Sequence, residues 1–120
     1  MTTEKLIETE NKQFAAFKKR NEGAWVITWG NPDLELEDDA DKSGPYGITM
    51  SKDDIKDSPD SHEFRMFEDC EMVPDYQGMC YLPDGFSEAA FNPLENFGTP
   101  NTGCIHIEYK DKVTGEWGVL

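Results

Sequence analysis

The spacing of apolar residues changes at Gly23, and that change predicts the architecture. Before it, Leu6, Ile7, Phe14 and Phe17 fall on one face at helical spacing. Thr2 or Thr3 can cap this helix. Glu4, Glu8 and Glu10 lie toward its start and Lys18, Lys19 and Arg20 at its end, as the helix dipole favours. Asn21-Glu22-Gly23 supplies the stop. The expected helix covers residues 3–20 and packs Leu6, Ile7, Phe14 and Phe17 on a sheet. After Gly23 period two takes over. Residues 24–29 place Trp25, Ile27 and Trp29 on one face, and Gly30-Asn31-Pro32 turns the chain. Residues 33–37 alternate again, with Asp33, Glu35 and Glu37 opposite Leu34 and Leu36, which predicts a hairpin.

Residues 38–61 are polar and broken by Gly44, Pro45, Gly47 and Pro59. Within them Ser51-Lys52-Asp53-Asp54 resembles a capping box and predicts one short helical turn. Residues 63–69 read as a strand. Two turn signals, Pro74-Asp75-Tyr76-Gln77-Gly78 and Pro83-Asp84-Gly85, flank a short apolar run at 79–82. A helical turn is expected at 87–91 and a loop, by composition, at 92–103. Residues 104–110 alternate with Ile105, Ile107 and Tyr109 on one face, and Asp111-Lys112-Val113-Thr114-Gly115 turns them into a last strand at 116–120. The elements sum to one α+β domain over residues 1–120, an N-terminal helix packed on a mainly antiparallel sheet. Aromatic residues spread along the whole chain, Trp25, Phe64, Phe67, Tyr109 and Trp117 among them, supply a core that a disordered acidic tail lacks.

Charge changes the picture. Of the 25 acidic residues, fifteen fall between Asp33 and Asp75 against Lys42, Lys52, Lys56 and Arg65, so that stretch holds −11 of the formal −14. Crowding like charges opposes folding, by roughly 1 kcal/mol per pair at 4 Å even in water. Such a field argues against direct nucleic-acid binding, which needs Lys and Arg for phosphates, and against an anionic membrane surface. No apolar run approaches the length of a membrane helix, and the N-terminus lacks the layout of a signal peptide. Cys70, Cys80 and Cys104 form no dense framework and fit reduced thiols, so a cytoplasmic location is expected.

Asp39-Ala40-Asp41-Lys42-Ser43-Gly44 matches the first half of a calcium loop, with Asp39, Asp41 and Ser43 as candidate ligands and Gly44 at the tight turn. Met50 stands where the bidentate Glu belongs, so no metal is expected there and calcium is not expected to change thermal stability appreciably. Cys70, Cys80, Cys104, His62 and His106 are atoms that zinc uses, without C-x-x-C spacing. No G-x-S-x-G, phosphate-cradling glycine loop or H-E-x-x-H occurs, and the expectation is a protein that is not an enzyme and uses no cofactor. Trp25, Trp29, Phe64 and Phe67 read as core. Phe91 and Phe97, in the expected loop, are candidate anchors for a partner.

The carboxylates suggest a use. Residues two apart on a strand lie about 6.6 Å apart on one face, so Asp33, Glu35 and Glu37 would form a row, extended by Asp38, Asp39 and Asp41. Asp53, Asp54, Asp57 and Asp60 make a second row. Together they can offer phosphate-like positions to the Arg and Lys of a DNA-binding protein, whose natural ligand carries one charge per about 3.4 Å of each strand. On these two clusters the chain resembles the small acidic DNA-mimic proteins of bacteria and phages. Among them it is most similar to the neisserial type that binds the histone-like nucleoid protein. Lys42, Lys52 and Lys56 interrupt the acidic run and depart from that pattern. The resemblance implies a non-enzymatic protein that binds a basic DNA-binding protein, such as a histone-like nucleoid protein, and competes with DNA. A phage inhibitor of a restriction or CRISPR nuclease and an immunity protein against a toxin nuclease share its physics. A calcium-binding module built on Asp39 to Gly44 is the alternative from a different class.

Overall fold

A computed structural model describes the backbone of residues 3–32 and 42–120, with side chains from Lys12 onward. The helix α1 spans Thr3–Asn21 and a second, α2, spans Lys52–Asp57. Six strands follow the switch to period two: β1 (Trp25–Gly30), β2 (Ser43–Gly44), β3 (Ser61–Phe67), β4 (Tyr76–Tyr81), β5 (His106–Lys110) and β6 (Trp117–Val119). They form one antiparallel sheet in the order β2-β1-β4-β3-β5-β6. The α+β class, with an N-terminal helix and an antiparallel sheet, is the one the spacing predicts.

Alternation sorts the side chains onto two faces. One face carries Trp25, Ile27, Phe64, Met66, Tyr76, Cys80, Ile107 and Tyr109. It is covered by a 3-10 turn at Glu88–Phe91, a π-helical turn at Leu94–Gly98 and a short helix α3 at Thr99–Thr102. Phe97, 2% exposed, meets the rings of Trp25 and Tyr76 edge-on, at centroid distances of 5.4 and 4.8 Å. The Tyr109 hydroxyl donates to the Ala90 carbonyl at 2.7 Å, so the ring's polar end is satisfied inside the core. On the opposite face Ile55 of α2 is fully buried against Ala24, Val26 and Tyr81. Among the described residues, α2 is the helix that packs on that face.

Several expectations change. Phe14 and Phe17 are 55% and 40% exposed: Phe14 does not pack on the sheet among the described residues, and Phe17 reaches it only at its edge. Leu6 and Ile7 lie outside the described side chains. Among the described side chains α1 reaches the sheet through its last turns. Phe17 touches Tyr81 edge-on at 6.1 Å, Lys18 pairs with Asp84 at 3.1 Å, and Asn21 is fully buried. The apolar surface beside β1 and β4 is already occupied by Ile55, which leaves Phe14 under the Lys18 ammonium instead. Trp29 is 39% exposed because a register shift between Ile27 and Trp29 rotates it off the Trp25 face. Residues 92–103 are helical rather than loop, since Leu94 and Phe97 bury together one turn apart. Tyr76-Gln77-Gly78 belongs to β4 rather than to a turn. The predicted strand at 33–37 lies outside the described residues. The outer partner of β1 is β2, through Trp25↔Gly44 and Val26↔Ser43.

The β5–β6 turn forms where the sequence predicts it. The Asp111 carboxylate accepts from Val113 N at 2.8 Å and Thr114 N at 2.9 Å, and Gly115 adopts φ 75°. These backbone donors, Thr114 first, hold the Asp111 carboxyl below its usual range. A carboxyl whose pKa falls on folding stabilises above its unfolded value and loses that contribution as pH drops through the folded one. The terminal hairpin is therefore expected to loosen below about pH 4. Trp117 emission should hold down to about pH 4 and change only below it, and Asp111→Asn should remove that acid-dependent change.

Candidate functional site

The described part of the acidic surface is built on α2. Ser51 caps the helix reciprocally: Asp54 N donates to Ser51 Oγ at 3.1 Å, and Ser51 N donates to Asp54 Oδ2 at 3.4 Å. The buried Ile55 pins the helix to the sheet, which leaves Asp53, Asp54 and Asp57 exposed. Asp53 and Asp57 sit four residues apart on one helical face, with Cβ atoms about 5–6 Å apart. Asp60, half-buried, follows at the start of β3. Among the described residues none of these four carboxylates is in an ion pair; the cations there pair elsewhere or face solvent. Asp60 and Asp84 add to burial in raising the Tyr81 hydroxyl. Asp60 partly offsets burial and Lys112 in lowering His62. Asp33, Glu35, Glu37, Asp38, Asp39 and Asp41 lie outside the described residues. Of the second group, Asp53, Asp54 and Asp57 are exposed on α2 and Asp60 is half-buried beside it.

The described end of the calcium-loop pattern does not take the shape such a loop requires; Asp39 and Asp41 lie outside the described residues. Ser43 and Gly44 are strand residues paired with β1, and Gly44 is not in the left-handed region that the sixth position of such a loop uses. A Cβ there would lie 2.8 Å from the Trp25 indole, so close packing of the strand explains this glycine. Among the described residues the candidate zinc ligands do not converge either. His62 packs on Phe86 and His106 stacks on Phe67, at 4.9 and 4.8 Å. Burial pushes the Cys80 and Cys104 thiols up to about 12, which makes them poor thiolate ligands, and Cys70 is exposed. Phe97 is core and Phe91 packs against it, so neither is a free anchor.

On the face of the sheet that carries Ile55, Arg65 organises a short ladder. Its guanidinium bonds Glu108 at 2.7 Å and lies 4.2 Å from the Trp117 ring centre and 5.3 Å from that of Phe67. This spends the one arginine of the acidic stretch inside the molecule, so it does not neutralise α2.

A second acidic group was not visible in the sequence. Glu68, Glu71 and Asp75, from the connection between β3 and β4, bring carboxylate oxygens within 4.8 Å of one another. Asp75 is 1% exposed. Its Oδ2 accepts from the Cys104 thiol at 3.5 Å, and its Oδ1 is buried without a partner among the described residues. A hydrogen bond with Asp75 and then the Asp75 charge raise the Glu68 carboxyl. In the sequence Asp75 is half of a Pro-Asp turn signal, and only the hairpin register returns it to Glu68.

Among the described residues no helix is long and apolar enough to cross a membrane. Comparison with protein-family models, with curated proteins and with solved structures finds no match to this chain.

Proposed function

We propose that this chain is a non-enzymatic, cytoplasmic DNA mimic that occupies the DNA-binding surface of a basic protein, a histone-like nucleoid protein being the partner its charge fits. The observation that carries the reading is α2: Asp53, Asp54 and Asp57 stand exposed, without ion pairs among the described residues, on a helix anchored by Ile55. A fixed helix presents its charges without first having to be ordered, which lowers the entropic cost of binding. The first expected row, Asp33 to Asp41, lies outside the described residues, and the two rows together would face the partner's Lys and Arg as charge-assisted pairs. A DNA-cleaving enzyme with a basic groove would be met by the same contacts.

Removing one rim carboxylate matters little, since an exposed pair contributes about 0–1 kcal/mol. Reversing several changes encounter. The variant Glu37→Lys, Asp39→Lys, Asp53→Lys, Asp57→Lys spares Asp54, whose carboxylate caps α2. Its association rate with the basic partner should fall by about tenfold or more at low salt, and the salt dependence should flatten. Its melting temperature should hold or rise, because like-charge repulsion is relieved. Stopped-flow association at two ionic strengths checks this. An unchanged rate with an intact fold contradicts the reading.

A further inference from the structure

We propose that Glu68, Glu71 and Asp75 form a binding site for one calcium ion that ties together the two ends of the β3–β4 connection. The site is independent of the α2 surface and of the Asp39 to Gly44 pattern.

Three observations carry it. Carboxylate oxygens of all three residues lie within 4.8 Å of one another, inside the span of oxygens on opposite sides of a calcium ion at about 2.3–2.6 Å each. Three carboxylates this close repel unless a cation or a proton stands between them. The second observation is Asp75 itself. A carboxyl group that is 1% exposed and has an oxygen without a hydrogen-bond partner among the described residues is costly, and a protein retains one where something completes it. The third is its fixed orientation. Asp75 N donates to Met66 O and Asn31 N donates to Asp75 O, both at 2.8 Å, while the Cys104 thiol holds Oδ2. The backbone at Asp75 is thus fixed on both sides and the thiol holds one carboxylate oxygen, as outer partners orient a metal ligand.

The donor set selects the ion. All three ligands are hard oxygens, which suits calcium or magnesium over zinc or copper. Glu68 and Asp75 come from strand ends and Glu71 from the turn between them, where Glu71 N reaches Glu68 O at 3.4 Å. Glu71 is exposed, so water can complete the shell on that side. An irregular, half-open arrangement fits calcium, which accepts six to eight flexible ligands, better than magnesium, which demands a near-ideal octahedron.

The test uses the full chain, stripped with chelator, in about 0.1 M potassium chloride, where surface charges are screened beyond about 10 Å. Calorimetric titration with calcium should give one site with a dissociation constant on the order of 10⁻⁵–10⁻³ M. Millimolar calcium should raise the melting temperature by several degrees, and magnesium at equal concentration should do much less. Glu71→Gln, at an exposed position, should hold or raise the melting temperature without calcium, since it relieves repulsion, and weaken binding about tenfold or more, because ligand charge tunes affinity. Asp75→Asn should abolish binding; if it does not fold, Glu68→Gln with Glu71→Gln takes its place. Asp39→Asn with Asp41→Asn should keep the full response. The proposal is overturned by no heat and no shift with millimolar calcium, or by an equal shift with magnesium. It is equally overturned if the response survives Glu71→Gln but vanishes in the Asp39/Asp41 variant. Stability that rises only on acidification, with no calcium effect, would assign the cluster to a shared proton and overturn it too.

Discussion

Gly78→Ala is expected to destabilise this protein by about 3 kcal/mol or more, a large share of the roughly 5–15 kcal/mol that holds a domain folded. Gly78 lies in β4, between Ile27 of β1 and Phe64 of β3. A Cβ at this position would sit 2.1 Å from the Val26 carbonyl oxygen and 2.6 Å from the Phe64 ring. The ring can turn aside, but the carbonyl belongs to a neighbouring strand and cannot move without shifting the β1–β4 ladder. Phe64 in turn fills the space over the glycine from the next strand. Guanidinium unfolding should show the midpoint of Gly78→Ala far below that of the parent. Adding Phe64→Leu should not restore it, because the carbonyl remains. A loss below about 1 kcal/mol, or rescue by Phe64→Leu, would show that the ring and not the ladder sets the constraint.

The second large effect belongs to Asn21. Its side chain is fully buried and every polar position is used. Nδ2 donates to Phe17 O at 3.1 Å and Thr49 Oγ1 at 2.8 Å, while Oδ1 accepts from Thr49 N at 2.8 Å and Met50 N at 3.1 Å. One amide therefore joins the end of α1 to the segment that leads into α2. Asn21→Ala leaves two buried backbone N–H groups without a partner, at about 1–3 kcal/mol each. The expected loss is about 3–5 kcal/mol, with faster hydrogen exchange at Thr49 and Met50 before global unfolding. Asn21→Asp keeps acceptors and loses donors, and should fall between the two. An alanine variant with parental stability would mean that water replaces the amide.

The contrast between these residues marks what the sequence makes legible. The switch at Gly23 is a local, periodic signal, and it correctly predicts α1, β1 and the β5–β6 hairpin. The capping box at Ser51 and Asp54 is local too, and α2 forms there. Asn21 looks like a helix stop, which it is. Its larger role depends on Thr49 and Met50, far along the chain, and no local pattern reports them. Gly78 shows the same limit. A glycine serves either a left-handed turn or a close approach, and only the neighbouring strands decide which.

Residues 92–103 look like loop because Asn, Gly, Pro and Thr dominate. Leu94 and Phe97, three apart after Pro93, were the helical signal. Phe14 and Phe17 teach the converse. An apolar stripe predicts a helix and leaves open what covers it, and here Ile55 already covers the nearest part of the sheet. The candidate sites divide likewise. The exposed aspartates of α2 follow from charge and a cap, whereas the convergence of Glu68, Glu71 and Asp75 is a product of strand register.

The central claim is competition with DNA, and one titration tests it most directly. A basic nucleoid protein is loaded with labelled duplex DNA at low salt, and this chain is added to excess while anisotropy of the label is followed. Mimicry predicts full release of the DNA, with the required concentration rising steeply as salt is raised. DNA that remains bound at excess acidic protein, alone or in a ternary complex, would contradict it.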